Sequence, residues 1–219
     1  MEFTDLGLIE YSKAWEFQEK LFNNNIQAKA KGLPTRNHLL FCEHPHVITI
    51  GKNGNSANLL YPQEFLNSRG VSLFHIDRGG DITYHGPGQL VAYPIFDLEH
   101  FGIGLKQYVH NLEEIMILLS ALYGIKTSRI EKATGVWIED CNKPSLTRKI
   151  GAIGVRSSRF ITMHGFALNV NTDMSYFSLI NPCGFVDKGV TSLQKETNSI
   201  ISMEKIKIQT KALFEDIFD

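Results

Sequence analysis

Three stretches of the chain carry apolar residues at helical spacing. Residues 11–29 place Trp15, Leu21, Phe22 and Ile26 on one face, with Ser12 positioned to cap the start. Residues 102–123 repeat Leu105, Tyr108, Val109, Leu112, Ile115, Met116, Leu119 and Leu122, and Gly124 stands where such a helix ends. Residues 201–218 close the chain with Ile206, Leu213, Phe214 and Ile217 turned inward, and a shorter helix is predicted over 61–67. Strands are predicted over 6–9, 37–43, 47–50, 71–76, 90–95, 125–130, 135–138, 149–155 and 161–171. Residues 51–55, 140–147 and 184–195 read as irregular connections. Strands outnumber helices and pair locally, which predicts a mixed, largely antiparallel sheet packed by helices, an α/β fold of the α+β kind.

No stretch rich in Pro, Gly or Ser separates these elements, so residues 1–219 are expected to form one compact domain, with a small C-terminal lobe from about residue 184 as the one subdivision. Hydrophobic residues make up 43% and charged residues 21%, which excludes a disordered chain, and a net charge of -1 gives no bulk attraction to nucleic acid or to an anionic membrane. The longest apolar run, residues 115–123, is too short to cross a bilayer, and the first residues lack a basic region followed by an apolar one. A cytoplasmic location is expected. Cys42, Cys141 and Cys183 are odd in number and widely spaced, which fits reduced thiols better than a disulfide framework or a zinc site.

Candidate chemistry concentrates in two places. The stretch Arg78-Gly79-Gly80-Asp81-Ile82-Thr83-Tyr84-His85-Gly86-Pro87-Gly88-Gln89 interleaves glycines with polar side chains, a pattern suited to backbone lying close to a ligand. Its spacing matches neither a Walker loop nor a dinucleotide fingerprint. Asn181-Pro182-Cys183-Gly184 sets a thiol between two residues that shape backbone, so Cys183 is expected on a sharply turned loop. A thiolate nucleophile needs a nearby cation or base. Lys149 opens an apolar, glycine-bearing strand where partial burial would let it exchange protons, and His85 and His164 are the alternative bases. His44-Pro45-His46 reads as a turn between paired strands in preference to a metal site, because no third ligand follows at suitable spacing.

Five motifs, taken together and in order, resemble the lipoyl(octanoyl) transferase family: residues 78–89, Gly135-Val136-Trp137, Lys149-Ile150-Gly151-Ala152-Ile153-Gly154, His164-Gly165-Phe166-Ala167-Leu168-Asn169-Val170-Asn171 and Asn181-Pro182-Cys183-Gly184. The resemblance runs from about residue 43 to residue 184. It implies an enzyme that moves an octanoyl group from acyl carrier protein to one lysine of a lipoyl domain, as in 2-oxoacid dehydrogenase complexes and the glycine cleavage H protein, the first step of endogenous protein lipoylation. Cys183 is then the acyl-thioester nucleophile, and Lys149 lowers its pKa and serves as acid and base. Substrate contacts fall on Arg78, Gly79, Gly80, Asp81, Ile82, Thr83, Tyr84 and His85, on Ala152, Ile153 and Gly154, and on Gly165, Phe166 and Ala167. His85, Thr83 and backbone N–H groups near Gly154 or Cys183 are the candidates to hold an oxyanion.

The same resemblance implies neither ATP nor a metal, the donor carrying its acyl group on phosphopantetheine. The implied fold is the one shared with the catalytic domains of biotin protein ligases and lipoate-protein ligases. Residues 139–148 form a longer connection than the family's tight turn before its lysine.

Overall fold

The computed structural model describes residues 1–140, 143–181 and 188–218. Its elements are strands β1 (Glu2–Leu8), β2 (His38–Glu43), β3 (Val47–Ile50), β4 (Ser72–His75), β5 (Ile82–His85), β6 (Gln89–Ile95), β7 (Ser128–Ile130), β8 (Ala133–Ile138), β9 (Arg148–Ser158), β10 (Ile161–Asn169) and β11 (Gly189–Val190). The helices are α1 (Tyr11–Ala30), α2 (Gln63–Ser68), α3 (Leu105–Ala121), α4 (Leu193–Thr197) and α5 (Met203–Phe218), with short 3-10 turns at Ser56–Asn58, Leu98–Phe101, Pro144–Leu146 and Met174–Leu179.

A large sheet runs β1-β2-β6-β10-β9-β8-β7, with β11 added beside β9, and a small sheet runs β4-β3-β5. Pairing is antiparallel except for β1 with β2, β11 with β9 and β3 with β4. The fold is therefore the mixed, largely antiparallel α/β arrangement that local pairing predicted. Period two sorts the central strands onto two faces. Leu39, Phe41, Leu90, Ala92, Phe166 and Leu168 meet α3 and α5 in one core. Leu40, Cys42, Val91, Tyr93 and Ala167 point the other way, toward α1. The small sheet has its own apolar cluster, built on Ile48, Ile50, Leu66, Ile82, Tyr84 and Phe177.

Several expectations are corrected. His44-Pro45-His46 does not join paired strands: β2 belongs to the large sheet and β3 to the small one, so this turn carries the chain from one sheet to the other. Ser12 caps nothing, because α1 begins one residue earlier and Glu10 is its N-cap without a side-chain bond. Leu105 and Leu122, at the two ends of the helical pattern, are exposed. The irregular stretch after the cysteine loop contains β11 and α4, the latter capped by Ser192, whose Oγ accepts the Lys195 N–H at 3.2 Å. Gly124 does end α3, at φ +73°. No helix of the described residues is long and apolar enough to cross a membrane.

Candidate active site

On the α1 side of the large sheet the register brings small residues together. Gly154 pairs with Gly165 and Ala152 with Ala167, and Ala167 also pairs with Val91. Side chains of one carbon or none leave a hollow against the small sheet, and a cavity of about 370 Å³ opens there. That volume lies within the range of about 300–1,000 Å³ typical of small-molecule sites. Arg78, Gly80, Asp81, Ile82, Thr83, His85, Ala152, Ile153, Gly154, Gly165, Phe166 and Ala167 all line it, and so do Lys149 and His164. Gly79 and Tyr84 do not. Gly79 gives its N–H to the Val155 carbonyl at 2.9 Å, and Tyr84 turns beneath the small sheet, its hydroxyl 2.7 Å from His46 Nδ1. Cys183 and the residues beside it in its motif, Pro182 and Gly184, lie outside the described residues, as does Cys141.

The Gly79 N–H holds the loop before β5 to β9, and buried Arg78 ties that loop to β3 of the small sheet. Its Nη2 donates to the Thr49 carbonyl at 2.8 Å and to Thr49 Oγ1 at 2.9 Å, and Nη1 donates to the Gly79 carbonyl at 3.0 Å. A Cβ at Gly154 would stand 2.7 Å from Arg78 Cδ and 2.9 Å from the Gly79 carbonyl, so only glycine lets loop and strand approach this closely. Asp81 fixes the outer part of the loop, accepting the Asn55 N–H at 3.0 Å and the Asn58 side-chain amide at 2.5 Å.

Lys149 is buried on β9, where one register irregularity sets it opposite Trp137. Its Nζ donates to the Thr134 carbonyl at 3.0 Å and lies 4.5 Å from the centre of the Trp137 ring, a cation–π contact. Gly135, at φ +118°, passes directly behind it. A Cβ there would meet the Gly151 carbonyl at 2.6 Å and Lys149 Nζ at 3.5 Å. The Gly135 N–H is held by buried Glu113 at 3.0 Å. β11 then pairs Val190 with Lys149, and the Thr191 N–H reaches the Lys149 carbonyl at 2.9 Å. The Gly135-Val136-Trp137 motif, the lysine and the chain that follows the cysteine motif thus form one assembly.

His85 and His164 line the cavity, and His44 packs against His85. His44 Nδ1 lies 2.7 Å from the Ile9 carbonyl, which can only accept, so Nε2 is bare and receives the Tyr93 hydroxyl at 2.8 Å. Burial pushes His44 down to about 4. His85 Nδ1 lies 2.7 Å from Gln89 Oε1, and burial, with His44 nearby, pushes His85 down to about 3. His164 occupies left-handed backbone at φ +61° within β10, Nε2 facing Asp77 at 3.1 Å. Burial lowers the His164 pKa, and that hydrogen bond holds the Asp77 carboxyl below its ordinary value. His44 and His85 are therefore neutral near pH 7, and neither is a proton carrier matched to that pH.

Tyr11, Gln89, Tyr93, Thr134 and Asn169 also line the cavity. Gln89 and Asn169 stand inside two of the motifs, so their pattern was available to sequence reading. Tyr11 and Tyr93 sit at ordinary apolar-face positions, and nothing in the one-dimensional pattern separates them from core.

A mostly apolar cavity between two sheets, with a buried lysine on its wall, suits a small ligand with an apolar part. Solved structures share the fold. A lipoate-protein ligase A bound with ATP matches with a TM-score of 0.70 at 14% identity, over 99% of this chain and 85% of that one. A biotin protein ligase from Aquifex aeolicus in complex with biotin and ATP matches with a TM-score of 0.55 at 12% identity, over 99% and 70%. Residues 10–215 match the family described as lipoyl protein ligase A/B catalytic domain, and the chain belongs to that family. Among its relatives is an octanoyltransferase of Parabacteroides distasonis, 57% identical over 216 residues, 99% of this chain and 97% of that protein. An octanoyltransferase of Bacteroides fragilis is 58% identical over 204 residues, 93% and 91%.

Proposed function

We propose that this chain transfers the octanoyl group of octanoyl-acyl carrier protein to a lysine of lipoyl domains, through a thioester on Cys183. The observation that carries this reading is Lys149, buried on the wall of the cavity and held by the Thr134 carbonyl and the Trp137 ring with a glycine at its back. The octanoyltransferase relatives, alike over almost the whole chain, support it.

In the first half-reaction the Cys183 thiolate attacks the donor thioester, and Lys149 protonates the departing phosphopantetheine thiol. In the second, neutral Lys149 takes a proton from the incoming lysine as its amine attacks the acyl-enzyme. Exchange of one thioester for another is nearly isoenergetic and aminolysis of a thioester is downhill, so the reaction as written uses neither ATP nor a metal. Arg78, Gly80, Asp81, Ile82, Thr83 and His85, with the small residues Ala152, Gly154, Gly165 and Ala167, form the acyl site. An octanoyl tail offers roughly six methylenes at about 0.8 kcal/mol each, so its burial contributes about 5 kcal/mol in favour of octanoyl over short acyl groups. The acceptors are lipoyl domains of 2-oxoacid dehydrogenase complexes and the glycine cleavage H protein, and the reaction is placed in the cytoplasm.

The test is incubation with octanoyl-acyl carrier protein and a lipoyl domain, with ATP omitted. The expected result is one octanoyl amide on a single lysine of the domain. Absolute dependence on ATP, with free octanoate as the better donor, contradicts the reading.

A further inference from the structure

A chain of side-chain amides on the cavity wall has only one possible polarity. At one end Asn169 Nδ2 donates to the Thr191 carbonyl at 3.0 Å, and a carbonyl can only accept. Asn169 Oδ1 must then face Gln89, whose Nε2 meets it at 2.9 Å and also meets a second carbonyl, that of Tyr84, at 3.2 Å. Two backbone carbonyls thus fix both amides, and Gln89 is left with only its oxygen to offer His85. That oxygen lies 2.7 Å from Nδ1, so Nδ1 carries the proton and Nε2 is bare.

A half-turn of the ring about Cβ–Cγ would put a carbon where Nδ1 stands and lose this bond, and the ring stacks on Tyr11 with centroids 6.2 Å apart and planes 11° apart. Among the described residues Nε2 has no hydrogen-bond partner, although His85 is buried and lines the cavity that holds Lys149. An acceptor that faces a ligand site is open to a donor on the ligand. This tautomer also has no N–H left for an oxyanion, which removes His85 from the candidates for that role.

We propose that His85 Nε2 accepts a hydrogen bond from the amine of the incoming lysine and orients its nitrogen lone pair toward the acyl carbon. The proposal rests on the acyl-transfer reading and assigns a residue to its second half. The thioester group and the alkyl chain bring no donor to this position, whereas a neutral amine brings two N–H bonds. In the step the N–C bond forms and the C–S bond breaks. One amine N–H remains on the acceptor, and the proton lost goes to Lys149, so Cys183 departs as a thiolate beside a protonated lysine, the state from which the first half-reaction starts. His85 takes no proton; it positions the nucleophile. Gln89 and Asn169 are positioning residues that act through it.

The experiment measures the two half-reactions separately, acylation of the enzyme by octanoyl-acyl carrier protein and discharge of the isolated acyl-enzyme by a lipoyl domain. His85→Phe, which keeps a ring against Tyr11, is expected to slow discharge about 10- to 100-fold more than acylation, the effect of losing one hydrogen bond at a charge-developing centre. Gln89→Leu, which frees the tautomer, is expected to shift the balance in the same direction by a smaller factor. Independently of any variant, 15N spectra of the native protein should show His85 protonated at Nδ1 and bare at Nε2. Equal loss in both half-reactions, or a proton on Nε2, overturns the assignment. A native enzyme that takes up no acyl group overturns the acyl-transfer reading itself, an outcome distinct from an acylated enzyme whose discharge ignores His85.

Discussion

Replacing Ala167 by Leu places three additional carbons in the acyl cavity without disturbing the sheet that builds it. Ala167 is 5% exposed, pairs with Ala152 on one side and Val91 on the other, and lines a space of about 370 Å³. The new carbons displace about three methylenes of a bound octanoyl chain. At about 0.8 kcal/mol each, that removes about 2.4 kcal/mol of burial, or roughly 50-fold. A four-carbon acyl group does not reach the filled volume and keeps its contacts. The assay is kcat/KM with octanoyl- and butanoyl-acyl carrier protein, run beside thermal unfolding. Octanoyl transfer is expected to fall roughly 50-fold, with butanoyl transfer within about threefold of its former value and Tm unchanged or raised, because an internal hollow has been filled. Equal loss for both donors, or no loss for octanoyl, refutes the placement of the acyl chain against Ala167.

Lys149→Ala is expected to lower transfer by about 10²–10⁴, the range for a lost general acid–base, and Lys149→Arg should not restore it because guanidinium does not give up its proton near neutral pH; steady-state kinetics with folding checked by circular dichroism decides. Gly135→Ala forces a side chain onto backbone at φ +118°, 2.6 Å from the Gly151 carbonyl, and should cost about 1–3 kcal/mol by urea unfolding while also depressing activity through Lys149. Neutral buried His44 and His85 make stability depend on acid. Their folded pKa values, about 4 and about 3, lie below the ordinary 6.5, so the stability they confer is complete above 6.5 and is lost as pH falls from there toward 4 and 3. Urea unfolding should therefore show a decline of up to about 2.7 kcal/mol per pH unit between pH 6 and 5, and a flat profile there contradicts the burial of neutral rings.

Most of the elements were legible because their apolar periods are long and unbroken. The exceptions have separate causes. β1 is an edge strand carrying Glu2, Thr4 and Asp5, so its first residues lack the alternation of a strand with one buried face. The partner of β2 could not be read, since apolar runs state that a strand is buried and not what it lies beside. α1 buries Gln18 and Asn25 on its inner face because each meets distant backbone, the His164 N–H at 3.1 Å and Arg36 at 2.8 and 3.0 Å. Period alone assigns such residues to the solvent. Within the site, glycines and small residues of the motifs marked the cavity, whereas Tyr11 and Tyr93 reach it only through the packing of α1 and β6. The polarity of the Thr191–Asn169–Gln89–His85 chain depends on which carbonyl each amide meets, which a sequence does not state.

The account stands most directly on a covalent intermediate. Intact mass of the native protein after incubation with octanoyl-acyl carrier protein should show a gain of one octanoyl group, released by a thioester-cleaving nucleophile and absent from Cys183→Ser after the same treatment. An unmodified native protein that nonetheless octanoylates a lipoyl domain contradicts the thioester on Cys183, and with it the role given to Lys149.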